Sequence, residues 1–176
     1  MVKSNIVSEI EIPKGVEAKL EGKLLKVKGS KGETERSIDD PRFLVKINDG
    51  KIILTSLKFT KREKKIVYSY VAHVKNMIKG ANEGHKYVLK ICSSHFPMNV
   101  SVNNNQIVIK NFVGEKYPRT LALKKGATVK VDGDKITVEG SSKEIAGTIA
   151  SDIEKLTKRA NFDQRIFQLY MKNHKV

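Results

Sequence analysis

Apolar residues recur along this chain with two periods. Val45-Lys46-Ile47-Asn48 and Val129-Lys130-Val131-Asp132 alternate apolar and polar positions, as a strand with one buried face requires. Each run leads into a Gly-containing turn, Asp49-Gly50 or Gly133-Asp134. A second apolar run follows, opening on Lys51-Ile52 or Lys135-Ile136. That order predicts a β-hairpin in both places, and the two hairpins lie 84 residues apart. A second pair of look-alike segments, 25–33 and 107–115, lies 82 residues apart. After each hairpin the period changes to helical. Ile66, Val67, Tyr70, Val71, Val74, Met77 and Ile78 form one apolar stripe, and Ile145, Ile149, Ile153 and Leu156 form the other. Thr60 with Glu63, and Ser141 with Glu144, have the spacing of a capping box. Gly80 stands where a glycine would end the first helix.

The chain is therefore expected to be a duplication. Each half holds several short strands and one helix, and a helix with one apolar stripe must bury it on a sheet. The expected class is α+β: two tandem domains, each with small antiparallel sheets and a helix around a single core. The expected boundaries are 1–82 and 83–176. The stretch Ala81-Asn82-Glu83-Gly84 is read as a short linker that holds the halves close. Ala146, Gly147 and Ala150 lie beside the second stripe, where small residues allow close approach, foremost of the helix's own sheet.

Charge changes the picture. Thirty-four Lys and Arg oppose 19 Asp and Glu, a formal net charge of +15 with a pI near 9.8. Residues 1–82 carry +8 and residues 83–176 carry +7. The segment from Lys155 to Val176 is locally dense, with Lys155, Lys158, Arg159, Arg165, Lys172 and Lys175 against Asp163 alone. Such a surface attracts polyanions, foremost nucleic acid. The longest apolar runs are too short for a membrane span, and the amino-terminal stretch lacks the apolar core of an export signal. Cys92 is the single cysteine, so no internal disulfide or CxxC site is possible, and a reducing, cytoplasmic setting is expected.

No catalytic pattern stands out. His73, His85, His95 and His174 have no zinc-binding spacing. Cys92 and His95 lack a third orienting group. Asp39-Asp40 and Asp132/Asp134 lie where turn residues belong. No enzyme activity, cofactor or metal is expected. What remains is cations on a rigid scaffold: the loop Lys116-Tyr117-Pro118-Arg119, Lys143, and the basic tail with Lys158, Arg159, Arg165, Lys172 and Lys175. These are the candidate RNA contacts, suited to phosphates and to the shape of folded RNA. On charge alone, a free RNA- or DNA-binding regulator and an RNA-processing enzyme stay open beside a structural RNA-binding protein.

Several segments, in their order, resemble the universal large-subunit ribosomal protein L-six family in its archaeal/eukaryotic form. They are the opening Ile10-Glu11-Ile12-Pro13-Lys14-Gly15-Val16, the turn Leu25-Lys26-Val27-Lys28-Gly29, the duplicated hairpins and the helix end Val74-Lys75-Asn76-Met77-Ile78-Lys79-Gly80. Tyr87, Asn99-Val100, Asn111-Phe112 and Gly114-Glu115-Lys116 add to them. The resemblance implies a structural role in the large ribosomal subunit, bound to its RNA near the sarcin–ricin region and the stalk base. Neighbouring ribosomal proteins and translation factors would lie close by, with no membrane involved. It also implies that the second domain makes the main RNA contacts, through the 116–119 loop and the carboxy-terminal stretch. The chain departs from the family in its tail. Arg165-Ile166-Phe167-Gln168 runs straight into Leu169-Tyr170, without the family's Asp-Gly pair.

Overall fold

The computed structural model describes residues 6–48, 50–58, 60–92, 97–158 and 169–172, the last three of these without their side chains. The chain divides into two compact units, residues 1–84 and 85–176, each with its own apolar core.

The first unit contains β1 (Val7–Glu11), β2 (Glu17–Glu21), β3 (Leu24–Gly29), β4 (Gly32–Ser37), β5 (Phe43–Asn48), β6 (Lys51–Ser56) and α1 (Lys61–Asn82). Its strands form two three-stranded antiparallel sheets, β1-β6-β5 and β2-β3-β4. The second unit repeats the plan with β7 (His85–Ile91), β8 (Asn99–Asn103), β9 (Gln106–Lys110), β10 (Arg119–Ala122), β11 (Ala127–Asp132), β12 (Lys135–Gly140) and α2 (Lys143–Leu156). Here the sheets are β11-β12-β7-β13 and β10-β9-β8, and β13 (Leu169–Lys172) is an addition on the outer edge of β7. The expected α+β duplication is present strand for strand. Both hairpins turn on a glycine with positive φ, Gly50 at 73° and Gly133 at 53°, a conformation that costs glycine little.

The alternation places Leu25, Val27, Ile52 and Leu54 in the first core, and Ile107, Ile109, Ile136 and Val138 in the second. From the helices, Val67, Val74, Met77 and Ile78 close the first core, and Ala146, Ile149, Ala150 and Ile153 the second. Ala146 and Ala150 thus serve close packing of α2 on its own sheet. Ile145, expected in that stripe, is instead 40% exposed, because in the first turn of α2 the sheet-facing position is taken by Ala146, while Ile149 and Ile153 are buried.

Helix ends also depart from expectation. Gly80 is buried inside α1, which runs on to Asn82 and is capped by Glu83. The glycine with positive φ is Gly84, at 81°, and its N–H bonds the Gly80 carbonyl at 3.1 Å. The expected linker is thus the last turn of the helix plus two residues. At α2, Thr60's counterpart is Ser142 rather than Ser141; its hydroxyl accepts from the Ile145 N–H at 3.4 Å. Residue 145 is not acidic, so the reciprocal half of a capping box is absent there. No helix among the described residues is long and apolar enough to cross a membrane.

Candidate nucleic-acid interface

The two units differ most between their third and fourth strands. In the first, β3 and β4 join through the tight turn Ser30-Lys31, which docks on the end of α1. Ser30 Oγ donates to the Asn82 carbonyl at 2.8 Å, and the Lys31 N–H to the Ala81 carbonyl at 2.9 Å. These bonds satisfy carbonyls that a helix end leaves open. The approach is so close that a Cβ on Gly29 would lie 2.5 Å from the Ala81 oxygen.

In the second unit the equivalent connection is the longer loop 111–118. Its backbone is strained: Asn111, Val113 and Gly114 have φ of 58°, 49° and 76°. For β-branched Val113 this is a costly conformation, about 1–3 kcal/mol. The surroundings hold it in place. Phe112 is fully buried, and Asn111 Nδ2 donates to the Pro97 carbonyl at 3.1 Å. Arg119 closes the loop. Its Nε and Nη2 donate to the two carboxylate oxygens of Glu115 at 2.8 and 2.6 Å. Its Nη1 donates to the Leu156 carbonyl, at the end of α2, at 2.6 Å. The guanidinium also stacks over the Phe112 ring, 4.3 Å from its centroid. One side chain therefore does for the second unit what a serine and a main-chain N–H do for the first.

This clamp brings the loop against the last turn of α2. Lys116 and Tyr117 are exposed, Tyr117 to 79%, and exposed Lys155 and Lys158 flank the clamped Leu156. Cations at a helix C-terminus also complement its dipole, so part of this charge supports the helix itself. Thr157 completes the corner. Its hydroxyl donates to the Glu154 carbonyl at 3.1 Å and accepts from the Leu169 N–H at 3.1 Å, so Lys158 leaves the corner where β13 enters it.

The candidate residues are thus sorted. Lys116, Tyr117 and Lys158 come together at the corner. Arg119 reaches it too, with its guanidinium turned inward. Lys143 does not share this end. It opens α2, about 20 Å along the axis from the clamped Leu156 at 1.5 Å per residue, with its carbonyl 3.4 Å from the Tyr87 hydroxyl. Lys172 lies on β13, and Arg159, Arg165 and Lys175 lie outside the described residues. Sequence reasoning missed Glu115 and Phe112 as the groups that aim Arg119; a four-residue spacing signals a pair only on a helix, and this stretch is a loop.

The residues considered for other chemistry have local explanations. Asp39 pairs with Lys23, and Asp40 accepts from Arg42 Nε at 2.7 Å. Burial pushes the Cys92 thiol up from its usual value, the opposite of an activated nucleophile. His95 lies outside the described residues.

Comparison with known proteins agrees with this architecture. A family model described as Ribosomal protein L6 matches the chain twice, over residues 12–84 and 96–168. Similar relatives are named Large ribosomal subunit protein uL6. That of Methanococcus vannielii is 40% identical over 93% of this chain and 90% of its own length. That of Saccharolobus solfataricus is 40% identical over 90% and 88%, and that of Methanothrix thermoacetophila is 37% identical over 93% of each. With one copy of the unit in each half and similarity along nearly its whole length, the chain belongs to the ribosomal protein L6 family.

Proposed function

We propose that the protein grips large-subunit ribosomal RNA with the loop–helix corner of its second unit, near the sarcin–ricin region and the stalk base. There it would adjoin neighbouring ribosomal proteins and the surface where translation factors dock. As a member of its family it is a structural, non-enzymatic protein of the large ribosomal subunit, working in the cytoplasm. The observation that carries the RNA reading is the strained loop 111–118, with exposed Lys116 and Tyr117, tied by Arg119 to the end of α2, with exposed Lys155 and Lys158. A fold does not hold Val113 at positive φ for its own stability; strain of this kind accumulates where a surface must keep its shape. Lys116, Lys158 and the tail cations Arg159, Arg165, Lys172 and Lys175 are the proposed phosphate contacts. Tyr117 offers a face to an unstacked base. Arg119 positions this surface from within. Lys143, at the far end of α2, would meet a separate stretch of RNA.

Sedimentation of cell extract at physiological magnesium tests the role. The protein should travel with large subunits, and crosslinks from Lys116 and Tyr117 should reach ribosomal RNA. Confinement to free-protein fractions would favour a regulator outside the ribosome and sink the reading.

A further inference from the structure

The duplication supplies an internal comparison for every position, and it exposes one asymmetry at the edge of β1. Ile10 pairs with Ile52, and Leu89 pairs with Ile136. The hairpins β5–β6 and β11–β12 are equivalent, so β1 and β7 are equivalent strands. The match extends to single bonds. The Ile12 N–H reaches the Gly50 carbonyl at 2.9 Å, and the Ile91 N–H reaches the Asp134 carbonyl at 2.8 Å. In the second unit the outer edge of β7 is covered. Leu169 to Lys172 pair antiparallel with Ile91 to Val88, and the Leu169 side chain is fully buried between β7 and α2. In the first unit β1 is, among the described residues, the edge of its sheet. Since Ile6 and Ile12 bond toward β6, the alternation directs the N–H and C=O groups of Val7, Glu9 and Glu11 outward. Beside that edge, between β1 and α1, lies an open cleft of about 440 Å³ with an apolar floor of Ile10, Pro13 and Ile78 and a charged rim of Glu11, Lys75 and the Lys79–Glu83 pair.

We propose that the β1 edge is a docking site for an extended segment of another protein, added antiparallel to β1 as β13 is added to β7, with an apolar side chain in the cleft and basic side chains opposite Glu9 and Glu11. The apolar requirement follows from Leu169 and Met171, which stand opposite Ile91 and Leu89, the equivalents of Ile12 and Ile10. The basic requirement follows from charge. Residues 6–21 hold Glu9, Glu11, Glu17 and Glu21 against Lys14 and Lys19, a local −2 in a chain of +15. At the edge, Lys51 lies 3.5 Å from Glu9 and 3.8 Å from Glu11, so one cation serves two carboxylates. Their side chains remain 56% and 84% exposed. Opposite charges across neighbouring strands attract, and like charges repel. The same carboxylates oppose pairing of β1 with β1 of a second copy, which would set Glu against Glu. Main-chain bonds would supply affinity and the alternating side chains specificity. This site is separate from the RNA-binding corner, and its test leaves that reading untouched.

The probe is a peptide of roughly eight residues, a strand's length, with alternating Leu and Lys. It is titrated into the full-length protein with amide hydrogen exchange as the readout. Saturable binding is expected, with new protection at the Val7, Glu9 and Glu11 amides and none at β5. A peptide with Glu in place of Lys should leave those amides unprotected. Glu9→Lys with Glu11→Lys should weaken binding about tenfold or more through two reversed cross-strand pairs. Glu9→Pro removes an outward donor only, a change edge strands tolerate; it should keep the native circular dichroism and abolish protection. The proposal is overturned by no saturable binding, by equal protection from the Glu peptide, or by unchanged affinity in the Lys variant. It is equally overturned if concentrating the protein alone protects these amides.

Discussion

At the scale of single residues, charge and placement separate most clearly at Arg119. Counted as a charge it is one cation among thirty-four. In the structure it is a forked clamp between Glu115, Phe112 and Leu156, a geometry that a lysine ammonium cannot reproduce. Arg119→Lys keeps the net charge, so a bare phosphate contact would be little affected. The clamp instead predicts RNA affinity about tenfold weaker with an unchanged salt slope, because the loop fits the RNA less closely while each cation still reaches its phosphate. Lys116→Ala should do the reverse in kind, lowering the slope by about one. Filter binding across a salt series separates the two. A second residue-scale prediction concerns acid. Asp40 accepts both the Nε and the main-chain N–H of Arg42, and this partnership holds its carboxyl below the ordinary value. As pH falls, the unfolded chain takes up the Asp40 proton first. The stability this pair contributes is therefore complete at neutral pH and is lost from about pH 4 downward. Asp40→Asn should lower the neutral plateau of a stability-against-pH curve by the pair's contribution and flatten part of its acid limb, so that the two proteins converge in acid.

At the scale of elements, β13 shows what keeps the second unit shut. Leu169 fills the space between β7 and α2, and its N–H caps the corner at Thr157. Leu169→Ala should cost the second core about 2–4 kcal/mol. Hydrogen exchange should report it as lost protection in β7 and β12 with β1 and β6 unchanged, since the cores share no residue. The same element marks where sequence reading stops. The hairpins were legible because Val45 to Ile52 and Val129 to Ile136 alternate around a glycine turn, a local pattern that local forces obey. The pairing of Leu169-Tyr170-Met171-Lys172 with a strand far earlier in the chain leaves no such trace. Helix ends were half legible. Thr60 caps α1 as its spacing said, but Gly80 read as a stop because a buried interior glycine and a terminal one look alike in sequence. At the site, the cations were readable and their aim was not. Arg119 is fixed by a carbonyl 37 residues away, and a carbonyl has no side-chain signature.

At the scale of the whole molecule, charge alone does not say which half meets RNA. The halves carry +8 and +7, so net charge treats them as equals, and long-range attraction to a polyanion draws on both. Binding strength depends on how many cations sit where phosphates arrive, because each neutralised phosphate releases counterions. That makes equal charge removals unequal in effect. Lys61, Lys64 and Lys65 are exposed on the first turns of α1, at the opposite end of that helix from the docked turn Ser30-Lys31. Lys116, Lys155 and Lys158 surround the Arg119 corner. Changing either trio to Gln lowers the net charge by the same amount. For the corner trio, the slope of log affinity for large-subunit RNA against log salt should become shallower by roughly 2–3, near 0.7–0.9 per lost contact. For the α1 trio it should hold, with only a modest loss of affinity at low salt, where the screening length is long. Equal slope changes would mean that the molecule binds RNA as a diffuse cation, and the clamp at Arg119 would then be architecture without an RNA role.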